Sequence, residues 1–166
     1  MIRDLVVRTR SYRRFHEDVT VDLATLRALV DLSRLSASGS NSQPVKYMLS
    51  CDRRRNAVIF PHLGWARLLK DWPGPAEGER PSAYIILLGD RQVSQSFGHD
   101  PGIAAQSIRL GATEKGLGSC IIGSIKRDEL RAALAIPERY EILLVIALGK
   151  SRETVVLETV GPDGDT

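Results

Sequence analysis

Apolar residues near the start of the chain recur at helical spacing in two segments. Residues 2–8 have apolar side chains three and four positions apart, which predicts a short amphipathic helix. A second apolar stripe begins at Leu23 and ends near Leu35, and Asp22 before it is a favourable N-cap. Two helices are therefore expected before residue 36.

The next segments have strand patterns. Val45 to Cys51 alternate between apolar and other residues, which is typical of a half-buried strand. Residues 52–56 are polar and indicate a turn, and the apolar residues 57–60 follow, so we predict a hairpin. The continuously apolar segment Ser82 to Leu88 predicts a strand that is covered on both faces.

The second half of the chain contains the longest predicted helix. Asp100 and Pro101 predict its start, with Asp100 as N-cap, and Gly116 predicts its end. Small residues on this central helix, Gly111 among them, indicate close packing against another helix of the chain or against the same helix of a second subunit.

Three further elements complete the predicted fold. Residues 127–135 have the pattern of a short helix, and Tyr140 to Gly149 form the most apolar strand. Residues 155–160 alternate, which predicts an edge strand before a flexible end, so that residues 154–166 form a strand and tail.

Composition indicates one globular domain over residues 1–166. The chain has 43% hydrophobic and 26% charged residues, and it contains no apolar run of about 20 residues. No secretory signal pattern is present at the N-terminus, so we expect a cytoplasmic protein that does not bind membranes. Cys51 and Cys120 are then expected to be free thiols.

Basic residues are concentrated near the N-terminus. Four arginines occur between residues 8 and 14, and arginine forms bidentate hydrogen bonds with phosphate. A solvated charged turn is the alternative interpretation. Nucleic acid is a less favoured phosphate source, because acidic residues are interspersed and only 5% of residues are aromatic.

Small polar residues are concentrated between residues 36 and 44, a segment called here the serine loop. Its hydroxyl and amide groups, with Gly39 and Pro44, are typical of a binding loop. A simple connector rich in turn-forming residues would have the same composition.

Several kinds of catalytic machinery are missing from the sequence. It contains no Gly-x-Ser-x-Gly motif and no Walker loop, and its three histidines are isolated, so no metal site is expected. The glycines from Gly116 to Gly123 precede a strand instead of joining a strand to a helix, which disfavours a Rossmann site. These features suit an enzyme whose cofactor carries the chemistry.

Five short motifs follow one another along the chain: Arg10-Ser11-x-Arg13-x-Phe15, Ser38-x-x-Asn41-x-Gln43-Pro44, Ala105-Gln106, Gly116-Leu-Gly-x-Cys-x-Ile-Gly123 and Val145-Ile-Ala-Leu-Gly149. In these motifs and their order the chain resembles the nitroreductase-like flavin oxidoreductase family over nearly its whole length.

The resemblance implies a fold and an activity. The fold would be α+β, an α/β/α sandwich with a largely antiparallel central sheet, assembled as an intertwined homodimer with FMN at the subunit interface. The activity would be hydride transfer from NAD(P)H to a small acceptor such as a nitroaromatic or quinone, in ping-pong order. A flavin-binding storage or sensing protein without substantial turnover is the alternative, and a basic nucleic-acid binder ranks last.

The resemblance also implies which residues bind the cofactor, while FMN itself carries the chemistry and no catalytic residue is assigned. By motif, one group holds the phosphate and ribityl chain, a second belongs to the loop from the other subunit, and a third approaches the flavin ring. Gln43 would support the loop. The phosphate and ribityl group is Arg10, Ser11 and Arg13, assisted by Lys150 and Arg152. The loop group is Ser38, Gly39 and Asn41, and the group near the flavin ring is Ile122 and Gly123.

Overall fold

The structure is a computed structural model that describes residues 1–66, 68–161 and 164. It contains five α-helices, five β-strands and two short 3-10 turns within these residues. The helices are α1 (Ile2–Arg8), α2 (Leu23–Arg34), α3 (Arg53–Ile59), α4 (Asp100–Glu114) and α5 (Arg127–Leu134). The strands are β1 (Phe15–His16), β2 (Val45–Ser50), β3 (Ala83–Asp90), β4 (Gly118–Ile122) and β5 (Tyr140–Ser151).

The five strands form one sheet, and every pairing in it is antiparallel. The long strand β5 pairs with β3 along one edge, and it pairs with β4 and then with the short β1 along the other. Strand β2 pairs with the free edge of β3. Because β4 pairs only with β5 among the described strands, its second edge is available to other groups.

Helices cover both faces of the sheet. Helices α2 and α4 pack on one face, where Leu29, Ile108 and Ile85 belong to one buried cluster. Helices α3 and α5 pack on the other face, where Ile59 and Leu130 belong to a second cluster. Strand β3 is buried along its whole length, as its continuous apolar pattern predicted. The α/β/α sandwich with an antiparallel sheet is confirmed.

The predicted hairpin after β2 is wrong, because residues 53–59 form helix α3. Asp52 is its N-cap, and the Asp52 carboxylate accepts a hydrogen bond from the Arg55 backbone N–H at 2.9 Å. Asn56 and Ile59 are three positions apart and both are buried, which is helical spacing. The capping residue was therefore the decisive local signal, and the short apolar run was not.

Two other predicted boundaries are corrected. Asp100 is the first residue of α4 and not its N-cap, a position that His99 occupies without a side-chain hydrogen bond. Residues 155–160 form no strand, and their apolar side chains are exposed. Residues 162, 163, 165 and 166 of the predicted tail lie outside the described residues. No helix of the described chain is long and apolar enough to cross a membrane.

The small residue Gly111 on α4 is explained by packing within the chain. A Cβ atom at this position would lie 2.3 Å from Leu32 Cδ1 and 3.0 Å from Leu29 Cδ2, both on α2. The absence of a side chain therefore lets α2 approach α4 closely. Gly111 is not evidence for a second subunit.

Replacing Gly111 by leucine is expected to lower the stability of the monomer fold. The added side chain must displace Leu29 and Leu32, and overpacking of this kind costs about 1–3 kcal/mol. Thermal unfolding checks the prediction, with Gly102→Leu on the same helix as the matched control, because no atom lies within 4 Å of a Cβ there. Equal melting temperatures for the two variants would contradict it.

Candidate functional site

Helix α1 and the residues after it are anchored to the C-terminal end of α4. The Thr9 hydroxyl donates to the Leu5 carbonyl at 2.6 Å and lies 2.9 Å from the Thr113 hydroxyl, and Thr9 is 4% exposed. The Arg8 guanidinium donates to the Thr113 carbonyl at 3.2 Å. These contacts fix the position at which residues 10–13 leave the helix.

The segment from Arg10 to Arg13 runs beside the outer edge of β4. Ser11 forms a parallel bridge with Ser119, and the Tyr12 backbone N–H donates to the Ser119 carbonyl at 3.1 Å. The predicted group Arg10, Ser11 and Arg13 is thereby brought together with β4, about 100 residues further along the chain.

Arg10 has an unused donor in this group. Its terminal nitrogen donates to the Val6 carbonyl at 2.6 Å, but its Nε is buried and has no hydrogen-bond partner among the described residues. Buried donors are rarely left unpaired in native proteins. An acceptor on a bound ligand would satisfy this nitrogen.

A further arginine, which the sequence reasoning missed, lies beside this group. Arg109 of α4 donates from Nε to the Ser119 hydroxyl at 3.3 Å and is partly buried. Burial lowers the pKa of the Arg109 guanidinium, nearby Arg10 lowers it further, and Cys120 opposes the shift. Repulsion between Arg10 and Arg109 would be relieved by an anion between them. A single arginine on the otherwise small-residued central helix was the signal that could have identified it.

Cys120 lies next to these arginines but is not activated. Burial raises the pKa of the Cys120 thiol, although Arg13, Arg109 and the Ser11 hydroxyl each act to lower it. The thiol therefore stays protonated at neutral pH and is unsuited to nucleophilic chemistry. The described residues contain no group of three or more histidines, cysteines or carboxylates that could hold a metal ion.

Lys150 and Arg152 lie at the end of β5 and in the residues after it, beside β1. Lys150 is opposite His16, and the Arg152 backbone N–H donates to the Arg14 carbonyl at 3.0 Å. The Arg152 side chain lies 3.8 Å from the Glu79 carboxylate, which also pairs with Arg14 at 3.6 Å. The structure therefore places this basic pair near the arginine segment, but Arg152 already forms an ion pair with Glu79.

Ile122 and Gly123 lie at the far end of β4. Ile122 is buried, whereas Gly123 is exposed, and a Cβ atom on Gly123 would have its nearest neighbour, Leu144 Cδ2, 4.0 Å away. The four residue steps from Ser119 to Gly123 span about 13 Å along a strand. An elongated ligand with an anionic end at Arg10 and a planar end at Gly123 would lie along the part of this edge beyond Ser119, which Ser11 and Tyr12 leave unpaired.

The serine loop is held at the opposite end of α4. The Asp100 carboxylate accepts hydrogen bonds from the Ser38 hydroxyl at 2.5 Å and from the Gly39 backbone N–H at 2.9 Å. The Gln43 amide donates to the Asn41 side-chain oxygen at 2.8 Å, so Gln43 supports the loop as predicted.

Three residues of the serine loop have left-handed backbone conformations. Ser40, Asn41 and Gln43 have φ angles of 50°, 54° and 51°, in the left-handed region that residues other than glycine rarely adopt. Such conformations persist where surrounding contacts enforce them, and they are concentrated at ligand-binding sites. The network around Asp100 supplies that enforcement.

The two parts of the predicted site are far apart within one chain. Ser38 and Gly39 contact Asp100, whereas Thr9, just before the arginine segment, contacts Thr113, and the 13 residue steps of helix between these two contacts span about 20 Å. Ser36, at the start of the serine loop, lies further along α4, beside Ser107. The structure therefore does not bring Ser38, Gly39 and Asn41 to Arg10, Ser11 and Arg13 of the same chain.

Comparisons with known proteins agree with one another. Residues 84–150 match the model of the nitroreductase family. A protein of Archaeoglobus fulgidus named "Putative NADH dehydrogenase/NAD(P)H nitroreductase" is 24% identical over 156 residues, covering 89% of this chain and 84% of the relative.

Solved structures have the same fold. The nitroreductase family protein from Streptococcus pneumoniae superposes with a TM-score of 0.78 at 19% identity, covering 98% of this chain and 96% of that one. An FMN-dependent nitroreductase from Clostridium difficile has a TM-score of 0.73 at 23% identity, covering 96% and 92%. The fold predicted from the sequence motifs is therefore confirmed.

Proposed function

We propose that this chain is a nitroreductase-like, FMN-dependent oxidoreductase, because residues 84–150 match the model of that family and the fold is that of a solved nitroreductase family protein. It takes reducing equivalents from NAD(P)H and passes them to a small acceptor such as a nitroaromatic or quinone. The names of the Archaeoglobus and Clostridium relatives support NAD(P)H as donor and FMN as cofactor.

The observation that carries this proposal is the unpaired Nε of Arg10 beside the open edge of β4. Arg10, Arg13 and Arg109 place positive charge at one end of that edge, and the Ser11 hydroxyl lies near them. The Glu153 carboxylate, which accepts from the Arg13 and Arg14 backbone N–H groups, offsets part of this charge. This donor set suits a single phosphate. Gly123 leaves space at the other end, about 13 Å away, where the flavin ring would lie.

FMN in this position would supply two-electron transfer between the donor and the acceptor. The residues of this chain bind and orient it: Arg10, Ser11 and Arg13 anchor the phosphate, and Arg127 holds the Gly123 carbonyl by a hydrogen bond of 3.3 Å. Because Cys120 stays protonated and lies within the sheet, no side chain of this site competes as a nucleophile. Donor and acceptor would bind at this site in turn, which is ping-pong order.

The serine loop serves the flavin of a second subunit in this proposal. Within one chain, the contacts of Ser38 and Gly39 with α4 lie about 20 Å along the helix from the contact of Thr9, which precedes the arginine segment. A homodimer that places the loop of one subunit over the β4 edge of its partner would complete both sites. The strained residues Ser40 and Asn41 are then held ready for the partner's cofactor.

Purification of the intact protein and a spectrum of the released chromophore test the assignment. FMN is expected in the protein, and NADH or NADPH oxidation is expected to depend on an added nitroaromatic or quinone. Bound FMN without acceptor-dependent oxidation would support a storage or sensing protein instead. Protein that neither contains nor binds FMN would overturn the proposal.

A further inference from the structure

A second cavity, of about 330 Å³, lies outside the proposed flavin site. It is enclosed by helix α3, by the residues that precede β3 and by the residues that follow β1. None of the residues assigned to FMN lines it. Its volume is at the lower end of the range for small-molecule pockets, about 300–1,000 Å³.

Three residues that line this cavity carry unpaired polar atoms. Arg80 Nε, Ser82 Oγ and the Tyr84 hydroxyl are buried and have no hydrogen-bond partner within the described chain. Native proteins contain few such atoms, and each has a free-energy cost. Their occurrence in one cavity indicates a common missing partner.

The donors among these atoms suit a carboxylate. Tyr84 is fully buried, and burial raises the pKa of its phenol well above the usual value, so its hydroxyl stays protonated and can donate. The Arg80 guanidinium lies 4.4 Å from the centre of the Phe60 ring and forms no ion pair with a described residue. A guanidinium and a phenol hydroxyl together offer charge-assisted hydrogen bonds to a carboxylate.

The rim of the cavity has the opposite charge. Glu17, Asp18 and Glu77 line it, and the Glu17 carboxylate is fixed by backbone N–H donors of Gly78 at 2.6 Å and Arg80 at 3.4 Å. Asp18 and Glu77 form no ion pair within the part of the chain that the structure describes. They remain available to a cationic group.

We propose that this cavity binds a small zwitterion of the amino-acid class. The carboxylate is held by Arg80 and the Tyr84 hydroxyl, and the ammonium group faces Asp18 and Glu77. A simple anion is disfavoured, because the three lining carboxylates outnumber the two lining arginines. This site is separate from the flavin site, and its assignment does not depend on the proposed oxidoreductase activity.

Thermal-shift and calorimetric titrations of the intact protein with the common amino acids test the proposal. At least one amino acid is expected to raise the melting temperature in proportion to its affinity. Acetate and ethylamine, each with only one of the two charges, are expected to produce no shift at the same concentration. The proposal is wrong if no amino acid shifts the transition, or if acetate or ethylamine alone produces an equal shift.

The variant Tyr84→Phe locates the binding site. It removes the unpaired hydroxyl and keeps the ring, so the fold is expected to persist while the affinity falls roughly ten- to hundredfold. Tyr140→Phe is the matched control, since this tyrosine does not line the cavity and should bind normally. Ser82→Ala replaces Tyr84→Phe if the latter is insoluble. Unchanged affinity in the cavity variant would overturn the assignment, and unchanged flavin content would confirm that the two sites are separate.

Discussion

Replacing Arg10 and Arg13 together by alanine is expected to strip FMN from the protein and leave the fold intact. Each charge-assisted hydrogen bond to a phosphate contributes about 1.5–3 kcal/mol, so losing two weakens binding by roughly 3–6 kcal/mol. This corresponds to an affinity loss of roughly a hundred- to ten-thousandfold. The flavin-to-protein ratio after gel filtration and an equilibrium FMN titration measure it.

The fold should survive this double substitution because other residues anchor the segment. Thr9 and Arg8 bind Thr113, and the Tyr12 backbone binds Ser119, without using either removed side chain. Arg27→Ala with Arg54→Ala is the matched control, because it removes two exposed arginines on α2 and α3. Full flavin occupancy in the Arg10/Arg13 variant would contradict the phosphate site, as would equal loss in the control.

Mixed dimers of two defective chains are expected to regain one working flavin site. One chain carries Arg10→Ala and Arg13→Ala, and the other carries Ser38→Ala and Asn41→Ala. If the serine loop serves the partner, the site built on the second chain's arginines receives an intact loop from the first chain. The remaining site has both defects.

Co-expression with two different affinity tags isolates the mixed species. Flavin content and NAD(P)H oxidation are then compared with those of each parental variant and of the wild-type chain. Recovery well above both parents supports a shared site. A mixed dimer as empty as its parents would show that each chain must use its own loop, and a wild-type monomer with full flavin occupancy would exclude the shared site directly.

Most of the fold could be predicted from local pattern. The apolar stripes of α1 and α2, the Asp22 cap and the continuous apolar runs of β3 and β5 each have a short-range physical cause. The four apolar residues 57–60 could form either a strand or a helix, because the spacing of apolar residues does not distinguish a strand from a helix in so short a run. Packing of Ile59 and Asn56 against the sheet decided for helix.

The candidate site was only partly accessible from sequence. Short motifs identified Arg10, Ser11 and Arg13, and the structure places them beside β4. The position of Arg109 beside Arg10 could not be predicted, because it depends on how α4 lies against β4. The cavity around Tyr84 likewise joins residues from separate elements, which no local pattern relates.

The sequence by itself determined the order of most elements, the buried strands and the basic character of one binding segment, because these depend on neighbours within a few residues. Two features were decided only by the tertiary structure. The missing side chain of Gly111 leaves room for α2 to pack closely on α4, and the two parts of the predicted site contact opposite ends of α4. Both results are distances between residues remote in sequence. Such distances are set by how the helices pack on the sheet, and helix packing depends on the whole set of contacting side chains.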